Sequence, residues 1–592
     1  MKFKASALAI ITLALAGCDE VSEELKVARE VSGTIAENAT WKASECPVLV
    51  TDDVYVEGPK APVLTIEAGC EVRFAANRGL YVSYHSEPGA LKAVGTADKP
   101  IVFTSDGAKQ PGAWAGLSFA AQTVAASSEL TFVTVEYAGG EYLDGGVVVA
   151  KAAVLVKDSA SKNNTGTGFL FTQNGGFAAG SARVTATGNS EYGVSLAASE
   201  AAGVPEDGSY AGNTAGAVEV AGGTVAASGT WGALDGAYHL TDDVYVESAS
   251  APVLTLAAGT VLKFGANCGL YVSYHSQPGA LRAEGVAGKQ VLFTSAGAAQ
   301  AGAWSGVSLA NASVDAQNSL VETKIEYAGG EHLEGCLVLN DAKAAVNNVT
   351  ISNCDGFGLQ LQNKAALADA ATGLTISNTT TGAAEVDAAA AHTIPSAASS
   401  YTGNTGGIAV EIRGGTVATS ATWKALDGPY FVSGDIYVEG DQGSKLTIEA
   451  GARLEFGANK GLYVSYNSDP GALWAVGEAA KRIVFTVHGS PYRGAWAGIS
   501  FATQTTDVDS KLEYVDVRYA GGEDLPGAVK CQDAKPTFSN LDVSDSGKCG
   551  IWVHCSSGAL PSGLATVTYA NNDTSACDCS GLDFCNNDNS CQ

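Results

Sequence analysis

GLYVSYHS at residues 79–86 returns unchanged at 269–276 and as GLYVSYNS at 461–468, and its reading decides the fold. Leu80 and Val82 alternate with Tyr81, Ser83 and His85, the period of a strand with one side in a core. The stretches around it recur with it. DDVYVE at 52–57 comes back at 242–247 and as GDIYVE at 434–439. Trp41, Trp231 and Trp423 open the copies, GAWAG at 112–116 matches GAWSG at 302–306 and GAWAG at 494–498, and YAGGE starts at Tyr137, Tyr327 and Tyr519. Each landmark moves by 190 and then by 192 residues, so one module is present three times with almost every turn retained.

Inside a module the beat is finer. Runs such as VLTIEAG, LYVSY, PIVFTS and LTFVTVEYAGG are short, alternate apolar with polar, and are divided by Gly, Asn, Asp or Ser. Long helical periodicity is absent. Corners rich in Gly and Asn favour a solenoid over a sandwich of two-residue hairpins, with Gly at φ > 0 and Asn side chains stacked between turns. Turns of about 20 to 25 residues at a spacing of ~4.8 Å predict a rod on the order of 110 to 130 Å long.

The succession LTIEAG, GAL with AVG, PIVFTS, GAWAGLSF and LTFVTVEYAGG resembles the right-handed parallel β-helix repeat proteins exported by many bacteria, over about Trp41 to Tyr569. The resemblance implies an all-β, right-handed parallel β-helix of pectate-lyase-like type and leaves activity open. That group also includes polysaccharide lyases and hydrolases that cluster acids with Arg or Lys in a lateral groove. Arg73 becomes Lys263 and then Glu455 in the later copies, so no catalytic residue is carried over. The organisation expected is a signal segment 1–17, a tether 18–30, modules 31–222, 223–414 and 415–570, and a Cys-rich cap 571–592.

The chain opens with Lys2, Lys4 and an apolar run to Ala16, the layout of a secretory signal. Leu15-Ala16-Gly17-Cys18 resembles the lipobox of bacterial lipoproteins, which implies lipid on Cys18 and a membrane partner reached through that anchor. Asp19 leaves the choice of membrane open. Loss of Lys2 and Lys4 takes 34 basic residues to 32 against 62 acidic ones, a formal charge of −30. Such a surface repels nucleic acid and suits divalent cations, basic partners or neutral glycans.

Beyond Cys18 an even 12 of the 13 cysteines remain, and an exported chain uses them as disulfides. Cys336 with Cys354 and Cys531 with Cys549, each 18 apart, suit neighbouring turns, and Cys46 with Cys70 is a third expected pair. Cys577, Cys579, Cys585 and Cys591 lack a neighbouring His and a CxxC, so they read as a stapled cap with undetermined pairing.

Strand alternation turns Tyr81, Tyr271 and Tyr463 outward, together with Tyr55, Tyr245 and Tyr437 and with Glu57, Glu247 and Glu439. Exposed Tyr beside carboxylate stacks on sugar rings and bonds their hydroxyls; Tyr also simply pads a solvent-facing β surface. The acids shared by all copies, which include Asp53, Asp243, Asp435, Glu141, Glu331 and Glu523, are open to three readings: a glycosidase pair, a Ca²⁺ cage or a solvated face. No position holds His throughout: His85 and His275 become Asn467, and His332 corresponds to Tyr142 and Asp524. Neither a GxSxG elbow, a HExxH helix nor a phosphate loop occurs.

The reading that follows is a non-enzymatic, lipid-anchored envelope rod for adhesion or glycan contact, because three imperfect copies raise avidity more than catalysis. The alternatives are a polysaccharide-active enzyme with one lateral groove and a passive spacer.

Overall fold

The computed structural model describes residues 28–578 apart from Glu141, Glu523 and 555–559. The signal segment, Cys18, Cys579, Cys585 and Cys591 lie outside the described residues.

Each turn of chain lays down three short strands on three faces. Val63–Ile66, Glu71–Phe74 and Gly79–Val82 make one turn, and Ala90–Val94, Ile101–Ser105 and Gly116–Phe119 make the next. Each strand pairs in parallel with its successor on the same face, Leu64 beside Leu91, Val72 beside Phe103 and Leu80 beside Leu117. The molecule is a right-handed parallel β-helix, the hand that a twisted strand imposes on parallel crossovers. Turn length varies more than expected: Leu80 to Leu117 spans 37 residues, whereas Phe169 to Val194 spans 25. The long turn holds the small loop closed at Thr96 and Lys99 and the GAWAG bend.

Alternation builds the core. Leu80, Leu117, Val147, Phe169 and Val194 stack in one inward row and are fully buried. The Trp of each GAWAG bend turns inward as well. Trp114 lies against Phe74 at 4.0 Å, Trp304 against Phe264 at 4.0 Å and Trp496 against Phe456 at 4.3 Å. Each indole N–H donates to a backbone carbonyl, of Glu136, Glu326 and Arg518, which satisfies its only polar atom. At ~200 Å² of apolar surface, each Trp contributes on the order of 5 kcal/mol of transfer free energy.

The corners are chemically specific. Asn164 donates to Asn189 and Asn189 to Asn213, both at 2.9 Å, a ladder one residue per turn. Gly139 and Gly329 of YAGGE sit at positive φ where a Cβ would lie 1.9 Å from the carbonyl oxygen of Thr165 or Asp355.

The ends differ from the expected boundaries. Arg29–Ile35 is already a strand paired with Val48–Val56, so the helix begins within the residues expected as a tether. Thr574–Asp578 pairs with Cys549–His554, so the helix continues into residues assigned to the cap.

Cys46 is bonded to Cys70 and Cys336 to Cys354. The expected pair of Cys531 with Cys549 is not formed: Cys549 joins Cys577, while Cys531 is buried. The reason is register. Cys531 lies beside Val553, whereas Cys549 lies beside Thr574, on the same turn as Cys577.

Candidate functional site

The thrice-repeated tyrosine stretch forms one local structure in all copies, and it differs from the alternating pattern. Strand geometry ends at Val82. Ser83 takes φ 63° and Ser86 φ 68°, so the chain turns towards the end of the neighbouring strand of the preceding turn, where the N–H groups of Ser83 and His85 donate to Val56 and Glu57; Ser273, Ser276, Ser465 and Ser468 take the same backbone. Tyr81, Tyr271 and Tyr463 are buried at 3–6% exposure instead of standing in solvent, each ring lying back over the glycine two residues before it, and Tyr463 packs with Ala497 and Leu525. Tyr55, Tyr245 and Tyr437 are half-buried beside them, stacked at 5.5, 5.6 and 5.5 Å.

The exposed member is a residue that alternation does not single out. Tyr84, Tyr274 and Tyr466 are 55, 58 and 56% exposed, and each packs on the buried tyrosine at 5.2 Å. The signal for it was the second Tyr of LYVSY, read as one position of a strand that has already ended.

Glu57, Glu247 and Glu439 also depart from the solvated face expected of them. They are 4–5% exposed and reach beneath the loop. Glu57 accepts the backbone N–H of His85 at 2.8 Å and lies 2.5 Å from its ring Nδ1. Glu247 treats His275 identically, and Glu439 accepts from the backbone and side-chain amides of Asn467. A neutral amide serves in place of imidazole, so the pair positions the loop rather than moving protons. Asp53, Asp243 and Asp435 accept the N–H of Gly79, Gly269 and Gly461 at 2.8–3.0 Å and fix the loop's entry.

Burial, helped by Asp53, raises the Tyr81 hydroxyl well above the usual tyrosine range. Burial and Asp243 push Tyr245 up to about 12. Tyr81 and Tyr245 are therefore neutral, and the Tyr245 hydroxyl donates to Asp243 at 3.2 Å.

Glu331 is exposed, and Glu141 and Glu523 lie outside the described residues. Among the described residues no three His, Cys, Asp or Glu side chains gather in a group able to hold a metal ion.

The patches do not lie in one line. Starting from Tyr55, the outward row on that face runs through Tyr81, Ser118, Val148, Leu170, Ser195 and Glu219 to His239. Tyr245 appears one face later, on the strand that pairs with Gly223–Val225. The second module repeats the count: Tyr245, Tyr271, Ser308, Val338, Gln360, Glu385 and Glu411 lead to Phe431, and Tyr437 follows on the next face. A module is thus seven turns and one face. Successive patches are about 35 Å apart along the axis, at ~4.8 Å per turn, and a third of a revolution apart around it.

Module 2 holds one arrangement that sequence reasoning missed. Arg413 donates to Glu385 at 3.1 Å, to Asp387 at 3.0 and 3.1 Å and to the Leu361 carbonyl at 2.9 Å. Burial raises the Glu385 carboxyl above its ordinary value despite the arginine. Module 1 has Ser195, Ala197 and Ala221 at the equivalent places, which is the signal that comparing the copies offers.

Residues 33–152, within the first module, match the model of the pectate-lyase-like β-helix domain family. No curated protein matches the chain. A solved structure of a PL6 family alginate lyase variant is similar at 9% identity over 94% of this chain and 96% of that one, with a TM-score of 0.17.

Proposed function

We propose that this pectate-lyase-like β-helix protein is a lipid-anchored rod of the bacterial cell envelope that grips glycans through three tyrosine patches, without turning them over. One observation carries the reading: Tyr84, Tyr274 and Tyr466 are each more than half exposed while the Tyr81, Tyr271 and Tyr463 rings beneath them and the Glu57, Glu247 and Glu439 carboxylates that fix their loops are buried. An exposed aromatic on a rigid base stacks on a sugar ring at little conformational cost. Facing three ways at intervals of about 35 Å, the patches suit a polysaccharide mesh that surrounds the rod, where separate weak contacts sum by avidity. Adhesion to a glycan-coated surface uses the same contacts.

The test is a glycan array probed with the chain lacking residues 1–18, beside a variant with Tyr84, Tyr274 and Tyr466 all changed to Ala. Binding that falls at least tenfold in the variant supports the reading. Equal binding of both proteins overturns the tyrosine patches, and retention of neither by any glycan leaves a passive spacer.

The cluster of Glu385, Asp387 and Arg413 favours a second reading, a polysaccharide lyase or hydrolase working in module 2. All three donor nitrogens of Arg413 are already engaged with protein acceptors, which argues for a clamp over a substrate contact. New reducing ends or unsaturated products on the bound polysaccharides would establish that reading and end the first.

A further inference from the structure

We propose that module 2 contains a separate groove that binds a neutral, hydroxyl-rich sugar chain and that modules 1 and 3 lack; the proposal rests on the glycan reading above and names its substrate class. The groove, about 640 Å³, runs over the strands Gly306–Leu309, Gly335–Asn340 and Phe357–Gln362, with the exposed Tyr274 among the residues lining it.

Its floor is built from carboxamides. Asn340 stands beside Gln362 on adjacent strands, Gln360 lies one outward position before Gln362, and Asn363 follows. Module 1 has Ala150, Leu170 and Thr172 where module 2 has Asn340, Gln360 and Gln362. Module 3 has Gln532, Trp552 and His554 at the same places. A carboxamide donates and accepts at once, which matches the paired hydroxyls of a sugar ring.

Gln360 supplies the observation that points to a ligand. It is 2% exposed, and its Nε2 donates to Glu385 at 3.1 Å, which fixes which way the amide faces. Its Oε1 has no hydrogen-bond partner among the described residues. A buried acceptor left unpaired is costly, and a hydroxyl donor entering the groove would complete it.

Charge selects the sugar. The groove is lined by Glu334 and Asp341 and by no Lys or Arg; Lys343 and Lys364 line the adjoining cleft that shares Asn363. A uronate chain would meet two carboxylates with no Lys or Arg and a single imidazole, His332, beside them, whereas a neutral or N-acetylated chain meets hydrogen-bonding groups and the Tyr274 ring. The disulfide of Cys336 and Cys354 ties the strand carrying Asn340 to the following turn, where module 1 has Gly146 and Asn164, and holds the groove in shape.

The test is calorimetric titration of the chain lacking residues 1–18 with cello-, manno- and N-acetylchitohexaose and with hexamers of galacturonate and mannuronate. The groove variant combines Asn340→Ala, Gln360→Leu and Gln362→Thr, residues that module 1 already accommodates on the same backbone. Gln362→Thr alone, at a half-buried position, reports a smaller loss should the combination unfold. At least one neutral hexamer binds, more tightly than either uronate; its affinity drops at least tenfold in the groove variant and stays within twofold when Tyr84 and Tyr466 become Ala. Uronates preferred, or neutral binding kept within twofold in the groove variant, would overturn the groove. If binding instead disappears with Tyr84→Ala and Tyr466→Ala, the groove fails while the glycan reading stands. If neither hexamers nor the parent polysaccharides bind, both fail.

Discussion

Glu57 holds His85 at two points, the backbone N–H at 2.8 Å and the ring Nδ1 at 2.5 Å, and so pins the loop that carries Tyr84. The third module achieves the same with Asn467 on Glu439. His85→Asn is therefore expected to change stability by less than ~0.5 kcal/mol. Glu57→Ala leaves a backbone donor unpaired beneath the loop and should cost about 1 to 3 kcal/mol. Urea unfolding of the two variants checks both; equal effects would show that the carboxylate does not position the loop.

The buried and exposed tyrosines should separate cleanly. Tyr463→Ala removes a packed ring and is expected to destabilise by about 3 kcal/mol. Tyr466→Ala, more than half exposed, stays within ~0.5 kcal/mol yet weakens glycan binding. Thermal unfolding beside the glycan array compares them, and a large stability loss at Tyr466 would make it a core residue.

With successive patches about 35 Å apart, Tyr84 and Tyr466 lie two modules, about 70 Å, apart along the axis and on different faces, so Tyr84→Ala and Tyr466→Ala share no partner. Their effects on binding a short oligosaccharide should add to within ~0.5 kcal/mol. A double-mutant cycle measures this; strong coupling would mean that the patches act as one surface.

Non-reducing peptide mapping should recover the peptide of Cys549 joined to that of Cys577. A link from Cys549 to Cys531 would contradict the register of the last turns. Replacing Cys336 by Ser opens an 18-residue loop and is expected to cost about 3 kcal/mol on the loop-entropy scale.

Alkali should loosen the helix. The Tyr245 hydroxyl is pushed up to about 12, and burial holds the Tyr210 hydroxyl well above the usual tyrosine range. In the unfolded chain both titrate near ~10. Below that pH their contribution is fully present; above it the unfolded state gives up protons that the folded state keeps, so stability falls from about pH 10 through 12. Unfolding midpoints from pH 8 to 12 test the sign, and a flat profile would show that these rings are not buried as neutral phenols.

The legible part of this molecule was the part written in short periods. GLYVSYHS, DDVYVE and GAWAG recur at 190 and 192 residues, and the period-2 placement of Leu80 and Val82 sends them inward because a strand has only two sides. Asn164 and its neighbours announced the corner ladder for the same local reason.

Where the pattern misled, a backbone turn intervened. Positive φ at Ser83 stops the alternation and brings Tyr84 out, while Tyr81 lies back over Gly79 and Glu57 reaches under His85, which no residue count reveals. The partner of Cys549 depended on which turn lies beside it, and the loneliness of Gln360 Oε1 on what its neighbours already bind.

By itself, then, the sequence determined a triplicated parallel β-helix, since hydrophobic alternation and repeated corners are local properties of the chain. Only the tertiary structure decided which tyrosines meet solvent, that the three patches turn by one face per module, and that module 2 carries an amide-lined groove. Exposure, rotation and unpaired polar atoms are sums over whole turns and neighbouring strands, and contacts between residues 20 to 40 apart settle them.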